Sequence, residues 1–199
     1  GAFVLNFIYN GIGSYDNGYV SILKGDKVGV INLDKAINIA PAYSSRIQAY
    51  SDTVLIASED GLKGFINTKD ELLSGFDFDE VKYWNDTIAL TRIEDEWLLH
   101  QISDETVIYE GILTYQFLKE SEDENIIQVT TANGKGVYSS LYGEIIEPTF
   151  TEIIQLGTAK NPVYFAQKYV QEADLHIVIY HDKDGNKLFM QTFQEDEYF

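Results

Sequence analysis

The chain has 199 residues, of which 45% are hydrophobic and 14% aromatic, and this composition is typical of a globular domain and not of a disordered segment. Its formal net charge is −18 at pH 7. Such a surface repels phosphate backbones and anionic lipids and attracts basic proteins, so we expect no nucleic-acid binding and a basic partner. The chain has no cysteine, which excludes disulfides, thiolate metal sites and thiol nucleophiles.

The sequence also bears on localisation. No apolar run reaches the roughly 18–20 residues of a membrane helix, so membrane insertion is not expected. The first residues are Gly1-Ala2-Phe3 and not methionine, which is typical of a chain from which an export signal has been removed. We therefore expect an exported protein, in the periplasm or at the cell surface.

Two short phrases recur along the chain with a common period. The first is KVGVIN at 27–32, and its copies are centred on residues 29, 64, 98, 136 and 178. The second lies between copies of the first and carries an aromatic residue at Tyr43, Phe78, Tyr115 and Phe150. Two markers with the same period indicate a repeat of about 35 residues.

Each unit consists of short apolar stretches separated by turn residues. In the second full unit we predict strands at 64–66, 71–73, 79–83 and 88–93, because Val, Ile, Thr, Tyr and Phe fill such stretches. Asn133-Gly134 and Asp184-Gly185 are typical of hairpin turns. The run 176–181 is apolar without alternation, which predicts a strand covered on both faces. Helix is expected to be minor, as one turn near 79–83 or 152–156.

These units require neighbours. A 35-residue unit cannot bury both of its faces alone, so consecutive units must pack on one another. We predict an all-β fold in a single domain, 1–199, whose units each have three to four short antiparallel strands and form a closed five-bladed β-propeller-like ring. The alternative is an open β-solenoid of hairpins. The predicted units are 24–58, 59–93, 94–131 and 132–171, with a fifth unit made from 172–199 together with 1–23.

The phrases resemble the units of the WG-repeat family, K-W-G-x-I-D followed by I-x-P-x-Y/F. KVGVIN at 27–32 and IAPAY at 39–43 match this pattern, and GKGVY at 134–138 with IEPTF at 146–150 matches it better. The sequence departs from the family at its tryptophan, which is Val28, Lys63, Trp97 and Lys135 in the first four copies, and at Leu98, which replaces the glycine after Trp97. The resemblance covers roughly residues 15–190. It implies a bacterial, repeat-built, frequently exported β protein, and it supplies no catalytic residues.

Four aromatic residues outside the periodic positions are our candidates for exposed binding residues: Tyr83, Trp84, Tyr142 and Tyr198. Tyrosine and tryptophan anchor protein interfaces and stack on sugars. The periodic aromatics, by contrast, are interpreted as core residues of the repeat, because core packing requires a strict period.

The metal-binding candidates are few. The loop HDKDGN at 181–186 has oxygen-bearing side chains at alternate positions, Asp182, Asp184 and Asn186, as calcium loops do. It lacks the bidentate glutamate of those loops and coincides with a hairpin turn, so we interpret it as a turn, with calcium as the alternative. His176 and His181 are an odd number of residues apart, hence on opposite faces of a strand, and cannot easily share a metal. No cofactor is expected.

The residues do not point to catalysis. No Ser/His/Asp constellation is recognisable from spacing, and with 32 acidic residues, carboxylate pairs are uninformative. We therefore predict that the chain is not an enzyme but an interaction scaffold that binds a protein partner in the bacterial cell envelope. The alternative is a carbohydrate-binding or glycoside-cleaving propeller, since propeller glycosidases work with two opposed carboxylates.

Overall fold

The computed structural model describes residues 9–16, 18–158 and 160–194. Regular structure in these residues is almost entirely β-strand, and helix is limited to one short 3₁₀ turn, Gln171–Ala173. The all-β prediction is therefore confirmed. No helix in this part of the chain is long and apolar enough to cross a membrane.

The strands form five antiparallel sheets, each a meander in chain order. The first sheet contains β1 (Gly11–Asp16), β2 (Tyr19–Lys24), β3 (Lys27–Asn32) and β4 (Ile37–Tyr43), and the second contains β5 (Gln48–Ala49), β6 (Val54–Glu59) and β7 (Leu62–Asn67). The third contains β8 (Glu80–Tyr83), β9 (Ile88–Ile93), β10 (Glu96–Gln101) and β11 (Val107–Ile112). The fourth contains β12 (Thr114–Lys119), β13 (Ile126–Thr131), β14 (Gly134–Ser139) and β15 (Gly143–Phe150). The fifth contains β16 (Glu152–Thr158), β17 (Asn161–Val170), β18 (Leu175–His181) and β19 (Lys187–Gln194).

The predicted single domain corresponds to two compact units. One consists of Gly1–Glu94 with Leu98–Tyr109, and the other of Asp95–Trp97 with Glu110–Phe199. The first two sheets belong to the first unit and the last two to the second, and the division passes through β10 and β11 of the third sheet.

The repeat seen in the sequence is present in the structure. The first phrase lies in the third strand of every sheet, with its centres at Gly29 in β3, Gly64 in β7, Leu98 in β10, Gly136 in β14 and Val178 in β18. The sheets begin and end elsewhere than the predicted units, because a repeated phrase reveals the period of a repeat but not its origin. In the described residues, β18 and β19 pair with β16 and β17, and β2 pairs with β1 and β3. The predicted fifth unit, shared between 172–199 and 1–23, includes residues 1–8 and 195–199, which lie outside the described residues, so it stays a prediction.

The two phrases meet in a β-bulge. Val28 pairs with Tyr43 and Val30 with Ile39, so the three residues 40–42 of β4 lie opposite Gly29 alone. A Cβ atom on Gly29 would lie 2.6 Å from the backbone nitrogen of Pro41, well inside van der Waals contact. A glycine is needed at this position because β4 passes so closely over it that no room is left for a Cβ atom.

The same arrangement occurs in the fourth sheet. Lys135 pairs with Phe150 and Val137 with Ile146, leaving 147–149 opposite Gly136. A Cβ atom on Gly136 would lie 2.8 Å from the nitrogen of Pro148. In the fifth sheet, β18 and β19 pair without interruption from Leu175 to Tyr180, and valine replaces the glycine there because no bulge crosses it.

The core clusters lie between the first and second sheets, between the second and third, and between the fourth and fifth. In β7, Phe65 and Ile66 are both fully buried, but they contact different clusters: Ile66 packs with the first sheet and Phe65 with Phe78 and β9. Since successive residues of a strand point to opposite faces, the second sheet is covered on both sides. This explains why its strands are apolar without alternation. A third cluster joins the fourth and fifth sheets, with Tyr164 and Val137 fully buried.

Individual local predictions have mixed outcomes. Strand β9 spans the predicted residues, and the predicted hairpin turns lie at the β13–β14 and β18–β19 connections. Residues 176–181 form a strand in which no residue is exposed. The predicted strand at 71–73 is wrong, since only an isolated bridge joins Leu72 to Ile66. Both segments with helical potential, 79–83 and 152–156, lie in strands, because pairing with a neighbouring strand outweighs local preference.

A buried tyrosine fastens the second sheet to the third. Tyr50 is buried, its hydroxyl donates to the Ile88 carbonyl at 2.6 Å, and it accepts from the Trp84 backbone nitrogen at 3.2 Å. Burial raises the pKa of Tyr50 above its ordinary value. The hydroxyl therefore stays protonated and serves two backbone groups.

Tyr50→Phe is expected to lower the free energy of unfolding by about 2 kcal/mol, because the buried Trp84 N–H and the partly buried Ile88 carbonyl both lose this partner. Urea unfolding measures the change. Tyr83→Phe is the control, since the Tyr83 hydroxyl bonds to Asp86 at the surface and its loss should cost less than about 0.5 kcal/mol. Equal losses in the two variants would contradict the role assigned to Tyr50.

Candidate interaction surface

The aromatic residues proposed for binding have different surroundings. Tyr83 is 42% exposed and Tyr142 is 63% exposed, with Lys183 Nζ 5.9 Å from the Tyr142 ring centroid. Trp84 is only 2% exposed, so its prediction as an exposed residue is wrong. Its backbone nitrogen donates to Tyr50 at the end of β8, and its side chain is buried. Tyr198 lies outside the described residues.

The periodic aromatics behave as predicted in three of four cases. Tyr43, Phe78 and Phe150 are buried, and Tyr115 is half-buried. Each of the buried three pairs across the sheet with the residue that precedes the repeat glycine. Tyr115 instead contacts Trp97, with ring centroids 4.9 Å apart. These residues are therefore part of the packing and not a ring of binding residues.

The loop 181–186, which is the calcium candidate, is a turn held by hydrogen bonds to Asp182. Asp182 accepts from the backbone nitrogens of Asp184 at 3.0 Å and Asn186 at 2.8 Å, and from Asn186 Nδ2 at 3.0 Å. The Asn186 side chain lowers the pKa of Asp182, and Lys183 pairs with Asp184 at 2.6 Å. Among the described residues no group of three or more His, Cys, Asp or Glu side chains is placed to hold a metal ion. The oxygens of this loop are thus engaged in holding the turn.

The fifth sheet presents an apolar row on the face opposite its core. Ile154, Phe165, Tyr180 and Phe189 stand in register across β16 to β19. The rings of Phe165 and Tyr180 are 5.5 Å apart, and those of Tyr180 and Phe189 are 6.2 Å apart. Ile154 is 42% exposed and Phe189 is 53% exposed. The row therefore leads from the half-buried middle of the sheet to an open edge.

That edge is strand β19. It is last in the strand order of its sheet, and seven of its eight residues are exposed. Leu188, Phe189 and Met190 are each at least half exposed. Sheet edges of this kind offer unpaired backbone groups to other strands, and proteins usually protect them with proline, bulges or charge.

Two of the other fourth strands show such protection, whereas β11 contains no proline. Strands β4 and β15 both contain a proline, Pro41 and Pro148, within the bulge that crosses the repeat glycine. Strand β19 has no proline, and its pairing is irregular only at its start, between Tyr180 and His181 of the neighbouring strand. In the part of the chain that the structure describes, its residues 187–192 therefore form a regular, apolar edge.

Acidic residues flank the far end of β19. Gln194 at the end of β19 pairs with Leu175, and Leu175 follows Glu172 and Asp174. A strand that binds beside β19 thus meets apolar side chains along its length and negative charge at this end.

The histidines are separated as the sequence predicts. His181 lies on the core face of the fifth sheet, 6.0 Å from the Phe150 ring, and His176 lies on the opposite face, 4.8 Å from the Tyr169 ring. His100 is buried in the first unit. Burial lowers the pKa of both His100 and His181, and Lys187 lowers that of His181 further.

These histidines predict how stability depends on pH. Because their folded-state pKa values lie below the ordinary value, the unfolded chain takes up protons first, and their contribution to stability falls as pH is lowered from about 7 to 5. We expect wild type to lose more unfolding free energy over this range than the His100→Gln/His181→Gln double variant. Urea unfolding at the two pH values tests this, and parallel losses would contradict it.

Comparisons with known proteins give weak structural similarities. No protein-family model matches the sequence, and no curated protein matches it. Similar solved structures include a eukaryotic initiation factor, with a TM-score of 0.48 and 9% identity, covering 92% of this chain and 65% of that chain. Kluyveromyces lactis Hsv2 has a TM-score of 0.40 and 10% identity, covering 96% and 73%. A quinonprotein alcohol dehydrogenase-like protein from Bacteroides thetaiotaomicron has a TM-score of 0.31 and 14% identity, covering 94% and 56%.

The initiation factor and Hsv2 have propeller-type folds. Every one of these TM-scores is below 0.5, so the similarities do not decide between the closed ring and the open solenoid. No function is taken from them.

Proposed function

We propose that this chain is a non-catalytic interaction scaffold that binds a basic, extended segment of a partner protein as an added strand along β19. The observation that carries the proposal is β19 itself, which is exposed, apolar and free of proline. Strand addition derives affinity from backbone hydrogen bonds and selectivity from alternate side chains. The wider proposal, a WG-repeat protein of the bacterial cell envelope, rests on the sequence resemblance.

The charge of the chain favours a basic segment. The net charge is −18, and Glu172 and Asp174 lie beside the end of β19. Opposite charge speeds association and suppresses wrong partners, and its effect falls as salt is added. Binding should therefore weaken at high salt without disappearing, since the backbone and apolar contacts remain.

Synthetic peptides of the length of β19 test the proposal. The first alternates valine with lysine, the second alternates valine with glutamate, and the third is the lysine peptide with a central proline. We expect the lysine peptide to bind, the glutamate peptide to fail, and the proline peptide to lose ~10-fold or more in affinity because it interrupts the backbone ladder. Equal binding of the first two, or no binding by any, would overturn the proposal.

The location of binding has its own readout. Amide hydrogen exchange should slow along β19 when the lysine peptide binds, because backbone groups at the edge become paired. Protection elsewhere without protection of β19 would place the site on another surface. Binding of an oligosaccharide panel, or measured turnover of an aryl glycoside, would instead favour the carbohydrate alternative and count against this proposal.

The arrangement of the five sheets is part of the same proposal. We expect the closed five-bladed ring, with the open solenoid as the alternative, and β19 is a fourth and outermost strand in either arrangement. Small-angle X-ray scattering distinguishes the two, because a closed ring is compact and a solenoid is elongated.

A further inference from the structure

A second site, independent of β19, lies in the first unit. A cleft of about 230 Å³ opens between Phe78, which follows the second sheet, and strands β9 and β10 of the third. Its walls are mainly apolar and include Phe78, Ile93, Leu98 and Val107. Leu98 takes the place of the repeat glycine here, so this wall of the cleft is specific to the third sheet.

A buried histidine forms the polar part of the cleft wall. His100 lines the cleft, is only 3% exposed, and stacks on Phe78 with ring centroids 4.9 Å apart. Its Nδ1 atom is 3.0 Å from the Thr91 hydroxyl oxygen. Its Nε2 atom is buried and has no hydrogen-bond partner among the described residues. A polar atom of this kind needs a partner, because leaving it unpaired costs free energy.

The Thr91 contact sets the chemistry of that atom. Thr91 is fully buried, and in the part of the chain that the structure describes the His100 ring is the acceptor within reach of its hydroxyl proton. The hydroxyl is therefore satisfied when it donates to Nδ1. Burial lowers the pKa of His100, so the ring is neutral near pH 7, and a Thr91 hydroxyl that donates to Nδ1 leaves the ring proton on Nε2. His100 thus brings to the residues that line the cleft a buried hydrogen-bond donor without a partner among the described residues.

Two carboxylates stand at the opening of the cleft. Glu105 accepts from the Gly75 backbone nitrogen at 2.7 Å, and its backbone has a left-handed φ of 56°. Asp77 lies beside it in the lining, and both residues are exposed. The opening therefore attracts positive charge, and the walls favour an apolar body.

We propose that this cleft binds a small organic cation with an apolar body and a hydrogen-bond acceptor at its far end. The ammonium group lies beside Glu105 and Asp77, the body packs on Phe78 and Leu98, and the far acceptor receives the proton of His100 Nε2. A neutral ligand lacks the first interaction, and an anion is repelled at the opening.

Four related probes separate these requirements. Tyramine has the ammonium group and a far hydroxyl, phenethylamine lacks the hydroxyl, 4-ethylphenol lacks the ammonium group, and 4-hydroxyphenylacetate reverses the charge. We expect tyramine to bind best, phenethylamine and 4-ethylphenol to bind ~5–10-fold more weakly, and the anion not to bind. Titration followed by NMR measures the four affinities. No binding by any probe, or equal binding by all, would overturn the proposal.

Two further measurements locate the interactions. Glu105→Gln keeps an oxygen for the Gly75 nitrogen but removes the charge, so it should lower the affinity for tyramine and leave the affinity for 4-ethylphenol unchanged. The control Glu120→Gln, in the other unit, should change neither affinity. The nitrogen-15 NMR spectrum of His100, assigned by its loss in His100→Gln, should show the proton on Nε2. A proton on Nδ1, or equal effects of the two glutamate variants, would overturn the assigned contacts.

Discussion

Gly29→Ala is expected to lower the free energy of unfolding by about 3 kcal/mol, and the Tm by roughly 6–12 °C. The added Cβ would lie 2.6 Å from the Pro41 nitrogen and from the Ala40 carbonyl carbon. Both are backbone atoms, so the clash cannot be relieved by turning a side chain. Either the bulge of β4 lifts away from β3, or the pairing of Val28 with Tyr43 is lost.

Gly136→Ala should behave in the same way, since its Cβ would lie 2.7 Å from the Ile146 oxygen. Gly11→Ala is the matched control, because its Cβ would meet nothing closer than 3.8 Å. Urea and thermal unfolding of the three variants provide the comparison. A Gly29 variant as stable as the Gly11 variant would show that the bulge is not constrained as described.

Phe189→Ala is expected to reduce the affinity for the lysine peptide by ~10-fold or more. Phe189 ends the apolar row of the fifth sheet and is 53% exposed, so an added strand covers it, and buried aromatic side chains dominate interface energies. Its effect on stability should be small, because half of the side chain already faces solvent.

Leu33→Ala controls for the loss of an exposed apolar side chain, since Leu33 is 64% exposed and lies in the first unit. Peptide titration and urea unfolding are measured for both variants. If Phe189→Ala binds the peptide as tightly as wild type, the partner does not lie along the Phe189 face of β19.

The sequence predicts most where two independent signals coincide. The glycine of the first phrase and the aromatic residue of the second lie on neighbouring strands, and the aromatic residue pairs with the residue before the glycine, as Tyr43 does with Val28. The two markers therefore have the same period, and the bulge between them brings β4 close to Gly29. Insertions in loops would explain the longer spacing between Gly136 and Val178, yet the strands within this interval are long, with eight residues in β15 and ten in β17. Length added to strands and length added to loops give the same spacing in a sequence.

The sequence could not show which apolar and aromatic side chains are exposed to solvent. Leu188, Phe189 and Met190 of β19 are apolar, as the residues of a buried strand are. Nothing in the sequence states whether another sheet covers them. The prediction that Trp84 is exposed is wrong for the opposite reason. It lies outside the repeat pattern, but Tyr50, 34 residues earlier in the chain, fixes its backbone. The His100 cleft was also missed, because His100 meets Phe78 only after the sheets have packed.

The bulge over Gly29 also acts on the fidelity of folding. If β4 slipped by one residue along β3, the bulge would lie over Val28 or Val30, and a slip of two residues would place it over Lys27 or Ile31. Each of these residues has a Cβ where the bulge leaves room for a hydrogen atom only. The glycine therefore specifies the register of β4 on β3, because neighbouring registers would place a Cβ atom under the bulge.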